Sequence, residues 1–164
     1  MSNEIIMILI QTIFIVGGVI VALITLLADH KRRKRQATLE VFNPISEETY
    51  ELRNKIRDIF KNEIIDPEDS RYKSDKELQR SITRFLSLYE RLSVGINLNV
   101  LDLKVFMRMA GKTSIDWYDR LKPVIEKKRK GHSTAYKDFE ILTDRMRKKY
   151  GKLYHARYRQ SQER

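Results

Sequence analysis

The side chains that most often catalyse reactions or bind metals are sparse in this chain. Of its 164 residues three are histidines, His30, His132 and His155, and none is a cysteine. No two histidines stand four residues apart, as the zinc ligands of an H-E-x-x-H helix do, and without cysteine there is no thiolate ligand or nucleophile. We therefore expect the three histidines to lie on the surface. We predict no catalytic site, metal site or cofactor, and a protein that is not an enzyme.

The densest group of carboxylates lies in residues 66–73, a segment that is acidic first and basic afterwards. A calcium-binding loop places its ligands at alternate positions and a glycine at the sixth, and this segment does not match that spacing. The chain also contains no G-x-x-x-x-G-K-S/T, G-x-G-x-x-G or G-x-S-x-G motif. We predict that residues 66–73 form a solvated linker.

An uncharged stretch at residues 5–28 determines where the rest of the chain is located. Nineteen of its 24 residues are apolar. As a helix it would be about 36 Å long, enough to cross a hydrocarbon core about 30 Å thick. A secretory signal has its positive charge before a shorter apolar region, whereas here the charge follows a longer one. The pattern predicts an uncleaved transmembrane helix behind an extracytoplasmic cap, residues 1–4.

Five consecutive basic residues follow this stretch, and no Lys or Arg precedes it. The positive-inside rule places the amino terminus outside and residues 29–164 in the cytoplasm. We expect the basic residues to contact headgroups of the anionic inner leaflet: Lys31, Arg32, Arg33, Lys34 and Arg35. A net charge of +11 would suggest nucleic acid in a soluble protein. Beside a span, orientation and lipid contact explain it at least as well, so nucleic acid is not the expected partner.

Four of the less apolar residues of the span fall on one helical face. Gln11, Gly18, Ala22 and Thr25 are spaced seven, four and three residues apart. Gly18 and Ala22 permit close approach of a second helix, and Gln11 has the chemistry to hydrogen-bond across such an interface. Two interpretations stay open, namely self-association of spans through this stripe and the ordinary composition of a transmembrane helix.

The composition beyond the span favours helices throughout. Charged residues make up 34 % of the chain, and there are only three prolines and six glycines. We predict an all-α fold, with one N-terminal transmembrane helix followed by a cytoplasmic bundle of about five helices. A basic juxtamembrane helix at 29–43 should end at Asn43-Pro44, because the residue before proline disfavours the helical conformation. The cytoplasmic domain then occupies residues 44–150.

Capping residues predict where the helices of this domain begin and end. Ser74 and Glu77 form an S-x-x-E capping box. The predicted starts are Ser46, Ser74, Asp102, Ser114 and Ser133, and the predicted stops are Asp66-Pro67, Gly111 and Gly131, with a kink at Pro123. Apolar residues at helical spacing predict the centre of the core: Leu78, Ile82, Phe85, Tyr89, Leu92 and Ile96, joined by Phe139, Leu142 and Met146 from the last helix.

A basic tail, residues 151–164, alternates cations with aromatic residues such as Tyr154 and Tyr158. Three interpretations stay open. The tail lies solvated or on the anionic leaflet, it contacts protein, or its cations hold phosphates while its tyrosines stack on bases.

The order of four motifs carries a family resemblance. They are Arg35-Gln-Ala-Thr-Leu-Glu40, Phe85-Leu-Ser-Leu-Tyr-Glu90, Trp117-Tyr-Asp-Arg-Leu-Lys-Pro-Val-Ile125 and Tyr136-Lys-Asp-Phe-Glu140. In these the chain resembles the bacterial family of domains of unknown function DUF4760 over about residues 5–150. The resemblance implies one amino-terminal span, a cytoplasmic helical domain and a bacterial inner membrane location. It implies no activity, substrate or site residues.

Three functional hypotheses follow from the sequence. The favoured one is a single-pass, membrane-anchored interaction module that binds a protein partner. The alternative is a membrane effector, of a toxin or phage-defence type, whose spans associate through the stripe at Gln11, Gly18, Ala22 and Thr25. The third is membrane-tethered binding of nucleic acid.

Overall fold

A computed structural model describes the backbone of residues 3–162 and the side chains of residues 4, 7, 8 and 10–151. Residues 3–162 form helices and no strands, which confirms the all-α prediction. The elements are α1 (Asn3–Phe60), α2 (Ser70–Ser74), α3 (Lys76–Asn97), α4 (Leu103–Arg129) and α5 (Lys137–Gln162).

Helix α1 is 58 residues long and contains both the apolar stretch and the first helix of the bundle. The predicted stop at Asn43-Pro44 and the predicted start at Ser46 are therefore wrong. Pro44 removes one backbone hydrogen bond, the one to the carbonyl of Glu40. Pro44 and Glu40 are both exposed, so that carbonyl lies on a face open to water. The helix continues because it packs against the bundle on both sides of the proline.

This packing follows an apolar stripe that runs through the proline without interruption. Its members are Thr38, Phe42, Ile45, Thr49, Leu52 and Ile56, spaced alternately by four and three residues. Four of them are buried and the other two are partly buried. The stripe continues the helical period across residue 44, which makes it the sequence signal for an unbroken helix.

Four helices build the bundle. α3 packs against α1 and α5, and α4 packs against the same two helices from the other side. Ion pairs join Arg84 to Glu48 and Lys55 to Glu77, which shows that α3 runs antiparallel to α1. The carboxyl end of α3 therefore lies at the end of the bundle that is nearest to the apolar part of α1.

The core is centred on α3, as its pattern predicts. Every residue of the predicted stripe on α3 is at most 1 % exposed, and Phe139, Leu142 and Met146 of α5 are fully buried. Aromatic rings from three helices meet there, with Phe85 5.3 Å from Trp117 and Tyr89 5.0 Å from Phe139 between ring centroids. These contacts hold α3, α4 and α5 in one unit.

The helix starts divide into correct and incorrect predictions. Asp102 caps α4 as predicted, since its carboxylate accepts from the backbone N–H groups of Lys104 at 2.7 Å and Val105 at 3.2 Å. The capping box is wrong by one residue: Asp75 caps α3 by accepting from the N–H of Leu78 at 2.9 Å, while Ser74 ends α2.

Further predicted boundaries are wrong. α4 runs unbroken through the predicted stop at Gly111 and the predicted start at Ser114, and it includes Pro123, where the kink stays a prediction. The start of α5 and the end of α1 lie where side chains of other helices bind the backbone. α5 begins at Lys137 rather than Ser133, because the carboxylate of Glu90 on α3 accepts from the N–H groups at its start, including that of Phe139 at 2.8 Å. α1 ends at Phe60 rather than near Asp66. Just beyond this end, Arg120 of α4 donates to the Glu63 carbonyl at 3.0 Å.

Candidate functional site

The apolar half of α1 lies apart from the bundle. α1 contains the one described helix that is long and apolar enough to cross a membrane, and none of its most apolar stretch is buried against the rest of the chain. Large side chains along it are open, for example Phe14 at 76 % and Leu27 at 70 % exposed. Left in water, such a surface is the kind that marks a membrane or protein contact.

The predicted stripe on this helix is exposed along its length. Gln11, Gly18, Ala22 and Thr25 are all exposed. The Thr25 hydroxyl donates to the carbonyl of Val21 at 2.9 Å, so it is satisfied within its own helix. A Cβ added at Gly18 would meet nothing within 4 Å. The contact role of the stripe stays a prediction.

The predicted lipid-contacting cluster, residues 31–35, is partly engaged by the protein itself. Arg33 pairs with Asp29 at 2.8 Å within α1. Lys34 donates to the Asn99 side chain, and Arg35 lies 3.6 Å from the carboxylate of Asp102.

Lys31 and Arg32 are exposed and make no hydrogen bond or ion pair within the described part of the chain. The contacts of Lys34 with Asn99 and of Arg35 with Asp102 place the start of α4 beside the basic cluster. Lipid contact by residues 31–35 remains a prediction.

The acidic segment at residues 66–73 forms ion pairs rather than a cation site. Glu68 pairs with Lys73 and, at 2.8 Å, with Lys127 of α4. Hydrogen bonds from Lys127 and Lys73, together with their charges, lower the pKa of the Glu68 carboxyl from 4.5 to about 2. The segment is largely exposed, as a solvated linker should be, but it also contains the five-residue helix α2.

A basic cleft lies between α2, α3 and α4, at the end of the bundle away from the apolar half of α1. Its volume is about 500 Å³, and it is lined by Tyr72, Lys76, Gln79, Arg80, Thr83, Arg84 and Lys128. Four of these residues are cations and none is a carboxylate. Arg84 pairs with Glu48 of α1. In the described part of the chain Lys76, Arg80 and Lys128 make no ion pair, although Arg80 also lines an adjoining depression with Glu48, Glu51 and Glu77. The cleft itself presents three cations without a direct carboxylate partner.

The sequence reasoning missed this cleft. The signal was present in part, because Lys76, Arg80 and Arg84 are four residues apart and therefore share one face of α3. The contribution of Lys128 was hidden, since it depends on how α4 packs.

The candidate ligands and bases considered from the sequence do not come together. His30 and His132 are exposed at separate places. Within the described side chains no group of three or more His, Cys, Asp or Glu residues is arranged to hold a metal ion. The predictions for His155, Tyr154 and Tyr158 concern side chains outside the described residues, although the backbone there continues α5 to Gln162.

These features define a class of protein, a four-helix bundle built directly onto a helix that is able to span a membrane. The chain belongs to the family described as Domain of unknown function (DUF4760), whose model matches residues 12–146. That range includes most of the apolar stretch, the bundle part of α1, all of α2, α3 and α4, and the first ten residues of α5. No curated protein and no solved structure matches the chain.

Proposed function

We propose that this chain is a single-pass, membrane-anchored interaction module without catalytic activity. It lies in the bacterial inner membrane, with its amino terminus outside and residues 29–164 in the cytoplasm. The observation that carries the proposal is the continuity of α1, in which one helix contains the exposed apolar stretch and contributes a packed stripe to the bundle. A bundle joined in this way is held close to the membrane in a defined direction.

Charge supports the proposed orientation. All five basic residues at 31–35 follow the apolar stretch, and only Glu4 is charged before it. Basic residues beside a span favour the cytoplasmic side and attract anionic lipid, each by about 1 kcal/mol near the surface. Lys31 and Arg32, the two without partners among the described residues, are the best placed for this contact.

We assign the partner to the basic cleft. Its cations face open space at the end of the bundle away from the proposed membrane, with no carboxylate among the lining residues. An acidic segment of a partner protein would supply the missing negative charge and gain charge-assisted hydrogen bonds from Arg80. Such binding should weaken as the salt concentration rises, because these cations are largely exposed.

Anchoring and orientation are tested together by cysteine labelling, since the natural chain contains no cysteine. Ser2→Cys and Ile64→Cys are expressed separately, and cells with a permeabilised outer membrane are treated with a membrane-impermeant maleimide. Labelling of Ser2→Cys alone, with Ile64→Cys labelled only after lysis, is expected. The opposite pattern would contradict the orientation. Release of the chain from membranes by alkaline carbonate would contradict the anchoring.

The partner surface is tested by placing a photo-crosslinking amino acid at Arg80 of the full chain in cells. Arg108 is the matched control, being an exposed arginine on α4 without an ion pair among the described residues. We expect a discrete protein adduct at position 80 that is lost on Lys76→Glu and absent at position 108. Equal adducts at both positions would contradict the assignment, and a nuclease-sensitive adduct would support nucleic-acid binding instead.

A second candidate, the oligomerising membrane effector, is favoured by the exposed stripe at Gln11, Gly18, Ala22 and Thr25, whose small residues would let a second helix approach closely. Under this alternative, high expression depolarises cells and Gly18→Leu relieves the damage. Gly17→Leu is the matched control, since its surroundings are equally open but it lies about 100° around the helix. If high expression does not depolarise the cells, the effector alternative is contradicted, and the result agrees with the interaction module.

A further inference from the structure

We infer that the turn between α3 and α4, residues 98–102, is a second membrane contact, in which Leu98 and Val100 enter the headgroup region of the leaflet that α1 crosses. The inference rests on the proposed membrane anchoring. The two side chains are 70 % and 62 % exposed, although both are large and apolar. One residue, Asn99, separates them in the sequence.

Backbone hydrogen bonds fix the shape of this turn. Asn99 adopts the left-handed conformation, with φ of 63°. Its N–H donates to the Ile96 carbonyl at 3.1 Å, and the N–H of Val100 donates to the Gly95 carbonyl at 2.9 Å. This pair of bonds is the Schellman motif that ends many helices. The exposed side chains are therefore carried by an ordered turn.

The apolar contact that usually accompanies this motif is made by a different residue. In most such turns the residue at the Val100 position packs back onto the helix. Here Leu101 covers that place and is 5 % exposed, and a Cβ at Gly95 would lie 3.1 Å from its Cγ. Val100 is left projecting from the bundle together with Leu98.

Three contacts with α1 set the height of the turn relative to the membrane. The Asp102 N–H donates to the Thr38 hydroxyl at 2.7 Å, Arg35 lies 3.6 Å from the Asp102 carboxylate, and Lys34 donates to Asn99. Lys34 is six residues beyond the end of the apolar stretch, or about 9 Å along the helix axis. Helical side chains lean towards the amino terminus, so the tip of the turn lies closer to the membrane than the Lys34 Cα.

This height matches the headgroup layer. Each such layer is about 5–7 Å deep outside the hydrocarbon core. The tip of the turn therefore falls at the outer edge of the layer or within it, and a modest tilt of α1 towards the side of the turn would carry Leu98 and Val100 deeper. The neighbouring cations at residues 31–35 suit the anionic headgroups around such an apolar tip. The bilayer interface thus supplies the apolar cover that the bundle does not.

A second contact point would fix how the bundle stands on the membrane. A single helix leaves the bundle free to turn about the axis of α1, whereas a second contact stops that rotation. The basic cleft is lined by the first half of α3, about 20–30 Å along the helix from the turn. It would then be held facing the cytoplasm at a constant distance from the bilayer.

The test places single cysteines in the full chain, labels them with an environment-sensitive fluorophore and reconstitutes the protein into vesicles of phosphatidylcholine and phosphatidylglycerol. The reporters are Leu98→Cys and Val100→Cys. The matched control is Ile64→Cys, which is 67 % exposed and apolar but lies at the opposite end of the bundle. Val16→Cys in the apolar stretch reports on insertion. Lipids spin-labelled near the headgroup or deep in the chains act as quenchers.

We expect blue-shifted emission at positions 98 and 100 and loss of fluorescence with the shallow quencher, while position 64 keeps its aqueous spectrum. If position 16 is quenched by the deep quencher but 98 and 100 match 64, the second contact is wrong and the anchoring stands. If position 16 is not quenched, the anchoring itself is wrong. Far-UV circular dichroism of each labelled chain confirms that the helices are intact.

Discussion

Gly111 of α4 packs against Tyr150 of α5. This contact predicts that Gly111→Ala lowers the free energy of unfolding when Tyr150 is present and raises it when Tyr150 is replaced. A Cβ added at Gly111 would lie 3.2 Å from Cζ and 3.3 Å from Cε2 of Tyr150, closer than carbon atoms pack comfortably, at about 3.5–4.0 Å. The ring cannot move freely, because the Tyr150 hydroxyl donates a 2.9 Å hydrogen bond to the Met107 carbonyl. Gly111→Ala therefore forces the tyrosine and the hydrogen bond to yield.

Two opposing effects determine how much Gly111→Ala changes the free energy of unfolding. Replacing glycine by alanine inside a helix stabilises it by about 1 kcal/mol. Overpacking a buried site costs about 1–3 kcal/mol. We expect Gly111→Ala to lower the free energy of unfolding of the natural chain by up to about 2 kcal/mol. In a Tyr150→Ala background the clash is gone, and the same change should raise the free energy of unfolding by about 1 kcal/mol.

The assay is thermal and denaturant unfolding of the four chains of this double-mutant cycle, followed by circular dichroism in detergent micelles. Gly151→Ala is the matched control, because Gly151 lies in α5 with nothing within 4 Å of an added Cβ. It should stabilise the helix in the natural chain. Equal stabilisation of the natural chain by Gly111→Ala and Gly151→Ala would refute the close packing of α4 on α5 at this point.

Three further predictions concern single groups. Thr38→Val should destabilise the bundle by about 1–3 kcal/mol in denaturant unfolding, because the partly buried backbone N–H of Asp102 loses its acceptor. An unchanged denaturant midpoint of unfolding would contradict this. Tyr89→Phe should leave the melting temperature unchanged or raise it, since the buried Tyr89 hydroxyl makes no hydrogen bond of good geometry, although the Ser114 and Thr49 hydroxyls lie near it; a large fall would show that one of these two hydroxyls is its partner. The depressed pKa of Glu68 implies stability that is present above pH 4.5 and lost as the pH falls towards about 2. An NMR titration of its carboxyl with a normal midpoint would show that the two lysine pairs do not persist in solution.

Local patterns predicted the parts of the fold that local chemistry determines. The stripe on α3 and the Asp102 cap were correct because spacing and a single carboxylate are enough to specify them. The start of α5 was wrong because its cap, Glu90, comes from another helix. The continuity of α1 was missed because tertiary packing outweighs the one hydrogen bond that Pro44 removes.

Some of the candidate surfaces could likewise be predicted from the sequence, and others could not. The apolar stretch and the basic residues that follow it are visible in the sequence, because a span needs only length and composition. The basic cleft needs Lys128 of α4 to lie beside Arg80 of α3. The height of Leu98 follows from the contacts that Lys34, Arg35 and Thr38 of α1 make with the turn. Such surfaces depend on how helices pack, and residue spacing along one helix does not reveal them.

The continuity of α1, in which one helix joins the apolar stretch to the bundle, can be measured directly. Spin labels at Leu27→Cys and Asp58→Cys, both exposed positions on α1 of the otherwise cysteine-free chain, test it in vesicles by pulsed electron resonance. They are 31 residues apart, and a continuous helix predicts a narrow distribution of distances centred at about 46 Å. A right-angle break at Pro44 would give about 33 Å, and either that distance or a broad distribution would contradict the continuity of α1.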